Sequence, residues 1–324
     1  MKTIDINQHH SYQVKNTETL DGYPEIKGYD FEKPFDFKKF LQSFSTTGFQ
    51  ATNLASAIEI AKSMKREKAT IFLSYTSNMI SSGVRDVIKF LVKHKQVHCL
   101  VTSAGGIEED VIKSLKPFVI GDFNAKGSIL FEKGVNRTGN IFVPNDRFAY
   151  FEKFITPMLE NIYQKQKTIS AKQLIQELGK AINSDDSVLH WAYKNDIPVF
   201  CPGLMDGSFG DLIVFFKHKH PDFAIDITQD VYDMSRLTLN AEKTGVIILG
   251  GGIAKHFLLN ANIFREGANF AIYINTADEF DGSDSGAKPD EAVSWGKINV
   301  NAPSVKVHCD ATIAFPLLVA GVWT

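Results

Sequence analysis

The chain has 324 residues, 44% of them hydrophobic, which is enough apolar material for the core of one large domain or two small ones. Its 35 lysines and arginines nearly balance 37 aspartates and glutamates, for a formal net charge of −2, so no broad field draws it to nucleic acid or to an anionic membrane. Any strong charge must be local.

Taken in chain order, residues 1–30 are polar and unpatterned, and they read as an arm that packs on a neighbouring subunit. The opening MKTIDINQHH lacks the apolar core of a signal peptide, so a cytoplasmic protein is expected. From residue 31 to 324 the pattern is one α/β domain, without a linker rich in Pro, Gly or Ser, a fixed repeat or a low-complexity tract. Five short apolar runs read as strands buried on both faces: Ala69–Tyr75, Val97–Thr102, Ile197–Cys201, Val246–Gly250 and Phe270–Ile274. Amphipathic helices lie between them, one marked by Val84, Val87, Ile88 and Leu91, another by Leu174, Ile175, Leu178 and Ile182 after a capping Ser170. The alternation predicts a Rossmann-like parallel sheet with helices on both faces. Cys99, Cys201 and Cys309 are far apart and form no CxxC pair, as expected of unpaired thiols in a reducing compartment. His218 and His220 read as exposed loop residues, and the apolar run Ala311–Trp323 is too short to span a bilayer.

Each strand is followed by a loop rich in glycine or hydroxyl groups: TSNMISSG, SAGGIEED, DGSFGD, GGGIAKH and NTADEFDGSDSG. Such loops collect at the carboxyl edge of a parallel sheet, where helix N-termini and close backbone approach favour a phosphate. A dinucleotide is the natural ligand, yet GGGIAK has Lys255 where the GxGxxG fingerprint has its third glycine. Glu108, Glu109, Asp206, Asp211, Asp284 and Glu291 all fall in or beside these loops, and a pocket lined by carboxylates wants a cation. The spacing of DGSDSG fails as a calcium loop, and clustered Cys and His for zinc are missing, so no metal is expected. Trp295 beside the carboxylates suits a chain of methylenes carrying ammonium groups.

Through GYDFEKPFDFKKFLQSFSTTGFQATNL, YTSNMISSG, AGGIEED, DGSFGD, ILGGGIAKH, EFDGSDSGAKPDEAVSWGKI and HCDATIAFPLLVA, the chain resembles the deoxyhypusine synthase family along nearly its whole length. The resemblance implies an NAD-dependent transferase that moves the aminobutyl group of spermidine, through an enzyme-lysine imine, onto one lysine of the precursor of translation initiation factor 5A, releasing 1,3-diaminopropane. It implies Lys297 as the imine-forming amine and His256 as the proton acceptor. Glu108, Glu109, Asp211, Gly251, Asp284, Glu291 and Trp295 would meet the polyamine. Ser77, Asn78, Ser103, Ala104, Gly105, Glu109, Asp206, Thr276, Ala277, Asp310 and Ala311 would meet NAD, with Gly251 close to both ligands. A homotetramer with sites shared across dimer interfaces is the family precedent. Gly203, Met205 and Phe257 depart from the pattern of many relatives and could reshape the pocket. Homospermidine synthase, with putrescine as acceptor, is the alternative the motifs leave open; a sirtuin-type deacylase lacks the necessary zinc thiolates, and a regulatory paralogue would be expected to have lost Lys297.

Overall fold

The computed structural model describes residues 20–324; residues 1–19 of the expected arm lie outside them. Residues 20–36 run to the first helix without regular structure, exposing Leu20, Tyr23, Ile26 and Phe31. Tyr29 anchors this stretch, its hydroxyl accepting from Asp36 N at 2.7 Å. Helix α1 (Phe37–Thr47) is capped by Asp36 and broken at Gly48, whose φ of 96° favours glycine, and α2 (Phe49–Arg66) follows at once.

The chain then alternates as β1 (Thr70–Tyr75), α3 (Asn78–Ser81), α4 (Val84–Lys93), β2 (Cys99–Thr102) and α5 (Ala104–Leu115). A small antiparallel sheet follows, made of β3 (Val119–Ile120), β4 (Val135–Thr138) and β5 (Ile141–Pro144), with α6 (Gly127–Glu132) inserted. After α7 (Asp146–Lys165) come β6 (Thr168–Ser170), α8 (Ala171–Ile182), α9 (Val188–Lys194), β7 (Val199–Phe200), α10 (Ser208–Lys219), β8 (Ala224–Asp226) and α11 (Ile227–Asn240). The last third is β9 (Thr244–Leu249), α12 (Gly252–Ile263), β10 (Phe270–Asn275), α13 (Pro289–Ser294), β11 (Ser304–His308) and α14 (Ala311–Trp323).

Six strands form one parallel sheet in the order β11-β10-β9-β1-β2-β7. The chain starts at β1, runs outward through β2 to β7, returns to the other side of β1 as β9 and runs outward again. That is the doubly wound Rossmann order, and the direction switches between β1 and β9. The five anticipated strands are all in this sheet, though β7 pairs over only Val199 and Phe200. Side chains alternate between two cores: Ile71, Leu73, Ile247, Leu249, Ile272 and Ile274 face one, and Phe72, Val246, Ile248, Ala271 and Tyr273 the other. Burial on both faces is why these strands read as continuous apolar runs.

The cap expected at Ser170 is a reciprocal one, with Ser170 Oγ accepting from Gln173 N at 3.2 Å and Gln173 Oε1 accepting from Ser170 N at 3.2 Å. His218 and His220 correct the expectation of a loop. Both close α10, and His220 is half-buried, pairing with Glu160 at 3.0 Å and stacking on Tyr163. Cys99 and Cys201 are buried and Cys309 half-buried, all unpaired. Ala311–Trp323 is a helix, and no helix among the described residues is long and apolar enough to cross a membrane.

Two further features hold the frame. The carboxylate of Asp110 is fully buried: Oδ1 meets Arg85 Nε at 2.7 Å and Val188 N at 3.0 Å, while Oδ2 accepts from Ser187 Oγ at 2.5 Å and Leu189 N at 3.0 Å. One side chain of α5 thereby ties α4 to the N-terminus of α9. At the far edge of the sheet, side chains of α2 cover β11: Gln50 Oε1 accepts from His308 N at 2.7 Å and Asn53 Nδ2 donates to Lys306 O at 3.1 Å.

Candidate active site

The crevice at the switch point is built from glycine and from helix starts. Gly250 (φ 88°) follows β9 against Thr76, which follows β1, and a Cβ there would stand 2.6 Å from Thr76 Oγ1. A Cβ on Gly251 would stand 2.5 Å from Ser285 Cα, and one on Gly105 2.7 Å from Ser77 Cβ. Neither Ser103 nor Gly251 caps its helix, α5 or α12, with a side chain, and the first amide of α12, Gly252 N, is met by Ser285 Oγ at 3.1 Å from another loop. Ser77 N donates to Ser103 Oγ at 3.2 Å, joining the loops after β1 and β2. Thr276 and Ala277 follow β10, while Asp310, the cap of α14, and Ala311 follow β11. Ser77, Asn78, Ser103, Ala104, Gly105, Gly251, Thr276, Ala277, Asp310 and Ala311 therefore line one sheet edge, and exposed Asp206 lies beyond β7 at the same edge. Glycines that admit backbone, beside two helix N-termini, fit a pyrophosphate.

The acidic residues form two groups within one chain rather than one pocket. The first lies at the β2 and β7 ends. Glu108 Oε2 accepts from Phe209 N at 2.9 Å, and the side chain fills the space a Cβ of Gly207 would need. Burial raises the Glu108 pKa. Glu109 accepts from the Ser81 hydroxyl, and burial, with the neighbouring Glu108 charge adding to it, pushes its carboxyl up to about 7. Asp206 and Asp211 are exposed nearby in the chain.

Because the folded value for Glu109 lies above its ordinary 4.5, the native state keeps a proton that the unfolded chain has lost. Its contribution is fully present below about pH 4.5 and is lost as pH rises through about 7. The melting temperature of Glu109→Gln should accordingly gain on wild type between pH 5 and pH 8. A constant difference across that range, in parallel thermal scans, would remove Glu109 as the titrating group.

The second group lines a cleft of about 320 Å³ that includes Lys255, His256, Asp284, Glu291, Trp295 and Lys297. Asp284 Oδ1 is 3.3 Å from His256 Nδ1, the geometry of a carboxylate orienting an imidazole. Asp284 Oδ2 is buried with no hydrogen-bond partner. Lys297 is buried at 8% exposure, and its Nζ lies 5.7 Å from the centre of the Trp295 ring, which itself is 67% exposed. Among the described residues no hydrogen bond or ion pair engages that Nζ. Lys255 is different: its Nζ donates to the carbonyls of Asp284 and, at 3.2 Å, Ala287, and lies 4.7 Å from the centre of the Tyr273 ring. Of the two lysines in this cleft, Lys297 has the unengaged amine and Lys255 is bound into the structure.

Among the three departures, alanine at Gly203 would meet only Ile253 Cδ1 at 3.6 Å, an ordinary contact. Met205 is 41% exposed, and Phe257 packs on Phe200 with ring centres 6.0 Å apart. None of these three residues lines the cleft that holds His256, Asp284 and Lys297. Site residues that the sequence did not single out are Ser81, Ser285, whose Oγ accepts from Gly252 N at 3.1 Å, and Lys306. Two serines and a lysine between two valines carry no signal of their own; only the nearness of Ser81 and Ser285 to the carboxyl edge of the sheet could have marked them.

A family profile for deoxyhypusine synthase matches residues 39–322. The chain belongs to the deoxyhypusine synthase family. It is 50% identical to the deoxyhypusine synthase of Senecio vernalis over 96% of this chain and 92% of that one, and 48% identical to that of Arabidopsis thaliana over 96% and 93%. A homospermidine synthase of Senecio vernalis, a related family member, is 48% identical over 97% and 94% and is not a better match. A crystal structure from Entamoeba histolytica ascribed to the same family superposes with a TM-score of 0.66 at 31% identity, over 92% of this chain and 96% of that one. As a deoxyhypusine synthase family member, the chain is an enzyme, a polyamine-using transferase of hypusine biosynthesis.

Proposed function

We propose that the chain transfers the aminobutyl group of spermidine, through an imine on Lys297, to a lysine of the translation initiation factor 5A precursor, with NAD held at the β1/β9 switch point. The observation that carries this reading is the cleft that an unengaged, buried Lys297 shares with the His256–Asp284 pair and Trp295. Asp284 and Glu291 bind ammonium groups of the polyamine, and Asp284 Oδ2, which has the Lys255 ammonium 3.9 Å away but accepts no hydrogen bond, keeps an acceptor for such a donor. Trp295 lies along the methylenes. His256 takes the proton of the secondary amine, its ring oriented by Asp284. The Lys297 amine then adds to the oxidised carbon as 1,3-diaminopropane leaves, and the acceptor lysine later displaces Lys297 from the butyl group.

Ser77, Ser103, Ala104, Gly105, Gly251, Thr276, Ala277 and Asp310 would hold NAD. Bound there, NAD supplies a hydride acceptor for the first step and the matching donor for the last. Glu109 and Asp211, in the other acidic group, reach a polyamine only if a second copy of the chain closes the cleft. The exposed Ile253, Phe264 and Phe280 around the cleft's own elements support such an assembly, and the family's tetramer is consistent with it. Unpaired thiols fit a cytoplasmic setting.

The deciding assay combines spermidine carrying label in its aminobutyl group, NAD, the factor precursor and putrescine. Wild-type protein should release 1,3-diaminopropane and place label mainly in the factor as deoxyhypusine. Label mainly in homospermidine would overturn the acceptor, and absence of diaminopropane would overturn the reaction.

A further inference from the structure

The loop from Thr276 to Lys288 carries Asp284 and has almost no regular backbone pairing of its own. Two lysines from different elements hold it instead. Lys306, on edge strand β11, donates from one Nζ to Ala277 O and to Gly286 O, each at 2.6 Å. Lys255, on α12 and 1% exposed, reaches Asp284 O and Ala287 O from beneath. An ion pair of Lys288 with Glu279 closes the loop at its base. The carbonyls span both ends of the loop: Ala277 is a candidate cofactor contact, whereas Gly286 and Ala287 flank the segment that presents Asp284 and Ser285. Ser285 in turn packs on Gly251 and accepts from Gly252 N, so a shift of this loop moves the glycine turn as well.

We infer that Lys306 and Lys255 are positioning residues for the polyamine: by gripping four loop carbonyls they fix Asp284 against His256, and Lys306 ties the loop's cofactor end to its substrate end. The inference rests on the reaction proposed above. A lysine suits the task because its ammonium offers three donors on a compact head, enough to bridge two carbonyls that no helix or strand pairs. A methionine of similar length leaves those carbonyls unmet and the loop without its anchor. Such a loss acts first on substrate placement, because Lys297 is held by its own backbone bonds to Ala292 and Ala268, outside the clamp.

The test compares wild type, Lys306→Met and Lys255→Met as full-length protein, measuring the KM for spermidine, kcat, NAD affinity by fluorescence and melting temperature. Lys306→Gln, which keeps a donor, replaces Lys306→Met if that variant fails to fold. The expected result is a KM for spermidine raised by about tenfold or more, a larger change than the accompanying fall in kcat, with label still trapped on Lys297. An unchanged KM in folded variants, or loss of kcat alone, would overturn the positioning role. An inactive wild type would instead refute the reaction itself, which keeps the two failures apart.

Discussion

Lys297→Ala should abolish the covalent butyl-enzyme and lower turnover on the order of 10³-fold or more, while the protein stays folded. The folding expectation follows from where Lys297 is anchored. Its N donates to Ala292 O at 2.9 Å and its O accepts from Ala268 N at 3.0 Å, so the backbone keeps its place when the side chain is truncated. The chemical expectation follows from the absence of a substitute. Lys255 is the nearest rival in the cleft, but its amine is engaged by two carbonyls, and burial lowers its pKa with the Asp284 charge opposing that. Borohydride reduction of enzyme mixed with labelled spermidine and NAD, followed by peptide mapping, checks this directly. Label retained in Lys297→Ala, or mapped to Lys255 in wild type, would sink the assignment.

The second large effect concerns stability. Asp110→Ala should lower it by about 3–5 kcal/mol, because it strips a buried guanidinium of its counter-charge and leaves the Val188 and Leu189 amides and the Ser187 hydroxyl without their acceptor. Arg85 would keep its bonds to Asp110 O at 2.9 Å and Ser114 Oγ at 2.6 Å, but these carry no formal charge. In a chain of this size the loss corresponds to a melting temperature lower by about 4–7 °C. A double-mutant cycle with Arg85→Ala separates the ion pair from the helix-start bonds. A loss under about 1 kcal/mol in Asp110→Ala would show that the latch is dispensable.

Asp110 also shows how far the sequence could be read. Glu108, Glu109 and Asp110 look alike in AGGIEED, and the first two were expected in a ligand pocket. Successive residues on a helix point about 100° apart. Glu108 accordingly reaches the amide of Phe209, Glu109 the hydroxyl of Ser81, and Asp110 turns into the core. Direction of this kind depends on tertiary neighbours that composition does not reveal. The five buried strands were legible because burial on both faces leaves continuous apolar runs. Strand β11 was not, since SVKVH interleaves valine with Lys306 and lies at an edge, and strands of two to four residues such as β3 and β6 leave no pattern to find. Lys255 was legible as a departure from the dinucleotide fingerprint. That it runs beneath the loop after β10 depends on how α12 packs over β1 and β2, which only the folded sheet decides. The motifs gave the membership of the candidate site, but its division into two groups in one chain follows from the order of β7 and β10 on opposite sides of the switch point.

Gln50 and Asn53 have a consequence beyond the strand they touch. An uncovered edge is a template on which another chain can lay a strand, and repeated addition of that kind has no natural end. With His308 N and Lys306 O already taken by side chains of α2, and with the opposite margin only two residues long, neither border of the sheet invites a guest. Copies of this protein that meet beside this sheet would therefore do so through helices and loops, surfaces that can close on themselves into an assembly of fixed number instead of growing into a fibre.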